Sequence, residues 1–275
     1  MSLFICPVCK KNLKKQNNCY KCEKNHSFDI SKDGYVNLLL SNSKNSTLPG
    51  DNKLMVNSRK EFLDKGYYSI LSRSINETVY KHIDKENYNA ILDTGCGEGY
   101  YTCALNQYLE GKNLNFNVFG IDISKFALSK AGRRNKDIEF AVASIFDIPA
   151  REESCNVVLN IFAPFKEEEY QRIIKKDGLL ILVIPGENHL WELKSAIYET
   201  PYKNQHKDYE INGFSFIDKV IAQSNITLTD HNDMENLFKM TPYYYKTSKT
   251  DQEKLNNLEK LETKIEFEIL VYKKR

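Results

Sequence analysis

The chain has 275 residues, with 41% hydrophobic and 28% charged side chains, a globular composition that excludes wholesale disorder and allows one large domain or one with a small appendage. No apolar run approaches the roughly 18–20 residues of a membrane span, the longest being 179–184, and MSLFICPVCKK lacks the apolar core of a secretory signal, so a cytoplasmic protein with no membrane partner is expected. The net charge of +2 hides an asymmetry, since residues 1–66 hold 12 basic and 6 acidic side chains; a basic end of this kind suggests a polyanionic partner, or else a solvated lysine-rich surface.

Residues 1–35 are rich in Cys and Lys and poor in aliphatic side chains, and four of the seven cysteines fall in the first 22 positions. In a chain without a signal peptide this clustering points to metal binding rather than disulfides. Cys6-Pro-Val-Cys9 sets two thiolates on one side of a tight turn, and a second pair would complete a tetrahedron around Zn²⁺. That pair is either Cys19 and Cys22, as in a zinc ribbon, or Cys22 and His26. So little apolar surface cannot fold the segment alone, and the metal would supply the missing free energy. The module is expected to be separable, so that losing zinc at Cys9 removes partner binding and spares the rest.

A short apolar stretch opens residues 36–86 and leads into the polar loop SNSKNSTLPGDNK, with Pro49-Gly50 as a turn signal. Helices are predicted over Asn52–Asp64 and Tyr68–Ile83, the latter with Ile70, Leu71, Ile75, Val79 and Ile83 at helical spacing. From Asn87 onward, strands predicted at Ala90–Leu92, Val118–Ile123, Ile138–Ala143, Val157–Phe162 and Leu179–Ile184 alternate with helices at Thr102–Leu109, Lys125–Arg134, Glu167–Lys175 and Leu190–Tyr198. This alternation predicts an α/β fold with a parallel sheet covered on both faces. The last run, Ile265–Tyr272, alternates with Glu266 and Glu268 and reads as a half-exposed strand near the sheet edge. The chain therefore divides into a zinc module (1–35), a linker and helical lid (36–86) and a main domain (87–275).

Ile91-Leu-Asp-Thr-Gly-Cys-Gly-Glu-Gly99 closes the first of these strands and opens a helix. It has the pattern D-x-G-x-G-x-G, whereas a dinucleotide fingerprint would require glycine where Tyr100 stands. Asp122 ends the next strand, where a carboxylate can accept hydrogen bonds from both ribose hydroxyls. S-adenosylmethionine fits better than NAD, having ribose and adenine but no pyrophosphate. Gly95, Gly97 and Gly99 would line its methionine part with Asp93 below, Asp122 would hold the ribose, and Ser144 and Ile145 would flank the adenine. Asn160-Ile-Phe-Ala-Pro164 and Pro185-Gly-Glu-Asn-His189 follow the fourth and fifth strands, at the carboxyl edge where such sheets bind substrate. Asn160 and Asp147 are the candidate catalytic residues there, and His189 could touch the methionine carboxylate or the substrate.

Taken together, these residues resemble one family, the bacterial 23S rRNA guanine-N1 methyltransferases. The resemblance spans nearly the whole chain: CPVC, Cys22-x3-His26-Ser-Phe-Asp, Asp33-Gly-Tyr-Val-Asn-Leu-Leu, Pro49-Gly-Asp, Phe62-Leu-Asp-x-Gly-x-Tyr68, Asp93-x-Gly-Cys-Gly-Glu-Gly-Tyr-Tyr-Thr102, Phe162-Ala-Pro and Pro185-Gly-x-x-His189-Leu. It implies a Rossmann-like S-adenosylmethionine-dependent methyltransferase sheet with an N-terminal zinc module that recognises RNA. It also implies a homodimer acting on a 23S rRNA hairpin, zinc ligands at Cys6, Cys9, Cys22 and His26, and cofactor contacts at Tyr68, Tyr101, Thr102 and His189. A small-molecule methyltransferase, or a non-catalytic RNA-binding protein, is the competing expectation.

Overall fold

Three short antiparallel strands, β1 (Lys14–Gln16), β2 (Cys19–Lys21) and β3 (Ser27–Asp29), open the chain in the computed structural model, which describes residues 2–40, 50–204 and 210–275. β4 (Tyr35–Asn37) leaves this small sheet and pairs in parallel with residues 140–142 of the main sheet. Most of the predicted polar loop, residues 41–49 with Pro49, lies outside the described residues. Helix α1 (Lys53–Asp64) starts where Asn52 accepts the Met55 N–H at 3.0 Å, a side-chain cap for an otherwise unpaired donor. Helix α2 (Ser69–His82) buries Leu71, Ile75 and Val79 on one stripe, as the spacing predicts.

The alternating part then runs β5 (Asn89–Thr94), α3 (Tyr100–Glu110), β6 (Phe116–Asp122), α4 (Lys125–Arg134), β7 (Glu139–Val142), β8 (Cys155–Ile161), α5 (Glu167–Ile173), β9 (Ile174–Pro185) and α6 (Trp191–Ile197). It closes with β10 (Phe214–Leu228), α7 (His231–Lys239), α8 (Tyr243–Lys246), α9 (Lys249–Asn256) and β11 (Leu261–Lys274). The main sheet has the order β10-β11-β9-β8-β5-β6-β7-β4. The strands from β9 to β4 pair in parallel, while β11 is antiparallel to both β9 and β10. The fold is thus α/β with a mixed sheet. Its order reverses between β5 and β8, which opens a crevice at their carboxyl ends. No helix among the described residues is long and apolar enough to cross a membrane.

Two expectations about strands need correction. β11 lies second from the sheet edge, as expected, but it is mostly buried rather than half-exposed, paired with β9 on one side and with β10 outside it. Glu266 and Glu268 are compatible with that place because both carboxylates are ion-paired, Glu268 with Lys219 at 2.7 Å and Glu266 with Lys264. The predicted helix at Glu167–Lys175 ends at Ile173, and the next strand begins at once.

The two faces of the sheet are covered differently. Side chains of α1, α2, α3, α6 and the C-terminal helices share one core with Ile91, Val118, Val157 and Ile181. On the other face, Leu3, Phe4, Leu13 and Tyr20 of the N-terminal segment share a core with Leu92, Phe119, Val158 and Leu180. Phe4 meets Phe119 edge-on at 5.8 Å, and Ile5 N–H donates to Pro149 C=O at 2.9 Å. The N-terminal segment therefore serves as part of the sheet's cover, which alters the expectation that it is separable.

Candidate active site and zinc centre

The Sγ atoms of Cys6, Cys9 and Cys22 and a ring nitrogen of His26 all lie within 4.8 Å of one another. Cys6 Sγ and Cys22 Sγ each lie 3.4 Å from His26 Nδ1, and Cys9 Sγ lies 3.6 Å from Cys22 Sγ. A zinc tetrahedron with bonds near ~2.3 Å to sulfur and ~2.0–2.1 Å to nitrogen has edges of about 3.5–3.8 Å, so the four donors fit the ion. Two tight turns bring them together, with Lys10 and Asn25 at φ 57° and 61°. Cys19, the competing ligand, lies in the β1–β2 hairpin, and its thiol donates to Gln16 C=O at 3.3 Å. Cys19→Ser is therefore expected to leave about one zinc per chain, and His26→Ala to lower it, because a tetrahedral site has four places. Metal analysis of the two purified variants checks this; zinc loss in the Cys19 variant alone would reverse the assignment.

The second site is a cavity of about 710 Å³ at the carboxyl ends of β5, β6, β8 and β9. The glycine loop forms its floor, with Gly95, Gly97 and Gly99 at φ 79°, 57° and 82°, values that disfavour any side chain. A Cβ on Gly95 would lie 2.5 Å from Ala163 Cβ, so the turn after β8 packs directly on this loop. A Cβ on Gly97 would meet nothing nearer than Arg59 at 4.0 Å; this glycine leaves room for a ligand instead.

Asp93 is 1% exposed; its Oδ2 accepts the Thr102 hydroxyl at 2.6 Å and its Oδ1 has no partner. Burial pushes its carboxyl up to about 7, against the Thr102 hydrogen bond and with help from the Asp122 charge. Asp122 accepts the Gly97 N–H at 2.9 Å and the Ser124 N–H at 2.7 Å, so it ties the glycine loop to the start of α4. The buried hydroxyls of Tyr68 and Tyr101 also lack partners. Leaving a buried polar group unpaired costs roughly 1–3 kcal/mol, and Asp93, Tyr68 and Tyr101 all line this one cavity. These residues fit a ligand that brings both donors and acceptors, as the amino acid end of S-adenosylmethionine does.

His189 also lines the cavity. Its Nδ1 accepts the Glu266 N–H at 3.2 Å, which leaves the proton on Nε2 as a donor. Burial, with Lys194 nearby, holds its ring down at about 3, so it is neutral at pH 7. Ser144 and Ile145 line the cavity after β7, whereas Gly99 and Thr102 stand behind the wall, shaping the loop and holding Asp93. Of the candidate catalytic residues, Asn160 lines the cavity but spends its amide within its own turn, on Ala163 N–H, Pro164 C=O and the Tyr170 hydroxyl. Asp147 is not among the lining residues; it forms a 3.2 Å ion pair with Lys10 of the zinc module.

Sequence reasoning missed part of the wall. Arg59 of α1 lines the cavity, pairs with Asp51 and donates to Met240 C=O at 3.4 Å, and the turn Met240–Tyr243 covers the same side. Pro49-Gly-Asp51 already belonged to the family pattern, but nothing local marked Arg59 or residues 240–243.

A reversed-order sheet with this glycine loop, an acidic end on β6 and unpaired polar groups in the crevice defines a S-adenosylmethionine-dependent methyltransferase. Residues 84–262 match the family described as methyltransferase domain, and residues 4–47 match the zinc ribbon described as RlmA, N-terminal. YxjB of Bacillus subtilis (strain 168), named for a 23S rRNA (guanine-N(1)-)-methyltransferase activity, is 28% identical over 277 residues, covering 98% of this chain and 96% of its own. The 23S rRNA (guanine(748)-N(1))-methyltransferase of Streptomyces fradiae is 32% identical over 194 residues, covering 70% and 66%. The chain belongs to the 23S rRNA (guanine-N1-)-methyltransferase family.

Proposed function

We propose that the protein methylates N1 of a guanine in a 23S rRNA hairpin, acting as a cytoplasmic homodimer. The observation that carries the RNA reading is the packing of the basic zinc module on the sheet beside the cavity, where its Lys10 reaches Asp147 next to Phe146 at the cavity mouth. Cys6, Cys9, Cys22 and His26 hold structural zinc in this reading, residues 1–35 grip the RNA, 36–86 form the lid and 87–275 carry the chemistry. Bound S-adenosylmethionine supplies a methyl group already activated by the sulfonium charge. The chain's work is then positioning, with reacting atoms about 3–3.5 Å apart. Asp93, Tyr68, Tyr101 and His189 orient the methionine end, Gly97 leaves room for it beside Gly95, and Gly99 and Thr102 support that wall. Asp122 takes the ribose, and Ser144 and Ile145 flank the adenine. The N1 proton leaves to solvent at the open mouth. N1 of a paired guanine is blocked, so the target is unpaired or flipped out.

The test is tritium transfer from labelled S-adenosylmethionine to rRNA lacking the modification, with reverse-transcription stops locating the base. Label that enters a metabolite pool and leaves RNA unlabelled would replace this reading with a small-molecule one. The ammonium group at Asp93 adds a pH signature. The raised carboxyl holds its proton in the free protein, a stabilisation lost as pH rises through about 7, and a cation binds its ionised form. Cofactor affinity is expected to rise with pH across that value, and binding near neutral pH to release protons. Calorimetry in buffers of different ionisation enthalpy measures this; no proton release would remove Asp93 from the ammonium site.

A further inference from the structure

Phe162 combines three features that the cofactor does not explain. It lines the cavity, yet its side chain is 46% exposed in a chain whose other aromatic rings are mostly covered. Its backbone sits at φ 56°, a region that a bulky residue rarely adopts and that marks functional positions when the surroundings impose it. Here they do. Phe162 N–H donates to Val183 C=O at 3.2 Å. Asn160 clamps the turn from both sides, accepting Ala163 N–H at 3.2 Å and donating to Pro164 C=O at 2.9 Å. Ala163 in turn packs on Gly95, so the backbone at Phe162 is held beside the glycine loop. Phe267 backs it, with ring centroids 5.6 Å apart.

We propose that Phe162 is the platform on which the target guanine stacks, and that Asn160 is the residue that positions it. This rests on the reading of the protein as a guanine-N1 methyltransferase. The electron pair on N1 that takes the methyl group lies in the plane of the base, so the methyl donor must approach from the edge. A group that restrains the base without blocking its edge must lie against its face, which an exposed aromatic ring beside the donor does. Stacking of one base on an aromatic side chain corresponds to about 5–150-fold in affinity.

The experiment uses the full-length zinc-loaded protein, an rRNA transcript lacking the modification, and the variants Phe162→Leu and Phe162→Tyr. Phe162→Leu, apolar but without a π face, is expected to lose about 5-fold or more in kcat/KM for RNA. Its S-adenosylmethionine affinity and melting temperature are expected to match the parent's. Phe162→Tyr, which keeps the ring, is expected to stay within about 3-fold of the parent. Asn160→Ala, which loosens the turn packed on Gly95, is expected to lower kcat/KM for RNA by a larger factor than it lowers cofactor affinity. Unchanged RNA kinetics in Phe162→Leu, or an equal loss of cofactor affinity, would overturn the stacking role while the parent still methylates RNA. A parent protein that leaves rRNA unlabelled overturns the functional reading and this proposal together.

Discussion

Cys9→Ser is expected to lose zinc and to destabilise the whole molecule rather than the N-terminal segment alone. Cys9 belongs to both ligand sets considered, so the result does not depend on Cys19 or His26. Structural zinc contributes on the order of 10–16 kcal/mol in isolated fingers, and a site left with three donors forfeits part of that. The consequence spreads because Leu3, Phe4, Leu13 and Tyr20 share one core with Leu92 and Phe119 on β5 and β6. Loosening the zinc knuckle uncovers that face of the sheet, and the same two strands end in the glycine loop and Asp122. A loss of about 3–5 kcal/mol, or roughly 10 °C in melting temperature, is expected. Rising temperature should then weaken cofactor binding along with RNA methylation. Calorimetric melting with metal analysis decides the point: a zinc-free variant that melts with the parent would mean that the ion holds no part of the sheet's cover.

How much was legible in the amino-acid sequence depended on how local each signal was. β5 is buried along its whole length and reads directly as a strand. The glycine loop, Asp122 and the CxxC turn are also local, because each ligand contact needs its residue types at fixed short spacing. β10 was invisible because it is an outer strand that buries only Phe214, Ala222, Ile226 and Leu228 at irregular spacing, with Asp218, Gln223, Ser224 and Asn225 between them. β11 was placed rightly near the edge but read as half-exposed for a related reason. Glu266 and Glu268 look like a solvent face until Lys219, 49 residues from Glu268, and Lys264 are seen beside them. Helix α7 buries a stripe, Met234, Leu237 and Phe238, whose helical spacing is readable in the amino-acid sequence. Arg59 and the Met240–Tyr243 turn could not be read from spacing, since only tertiary packing brings α1 and α7 together over the cavity. Asp147 differs in the opposite sense: its position in the chain suggested the carboxyl edge, but its exposed carboxylate stands outside the cavity and pairs with Lys10 of the zinc module.

Asp122→Ala is expected to weaken S-adenosylmethionine binding by roughly 2–4 kcal/mol, about 30–1000-fold, while the protein stays folded. Two effects add. The ribose loses a charged acceptor, at about 1.5–3 kcal/mol per hydrogen bond with imperfect additivity. The Gly97 and Ser124 N–H groups, which Asp122 now holds at 2.9 and 2.7 Å, lose their partner, so the glycine loop is less well ordered before the cofactor arrives. Against this, the apo protein no longer buries a carboxylate whose ionised form is disfavoured there, since burial pushes its carboxyl up. That relief offsets part of the cost of the two orphaned donors and is why a folded variant is expected. Asp122→Asn separates the two effects. Its amide can accept one of the two N–H bonds but must present a donor to the other, so affinity should fall between the parent and the alanine variant. Calorimetric titration of the three proteins gives the ordering. Equal affinity in the parent and the alanine variant would show that Asp122 faces no ribose and serves only to brace the loop.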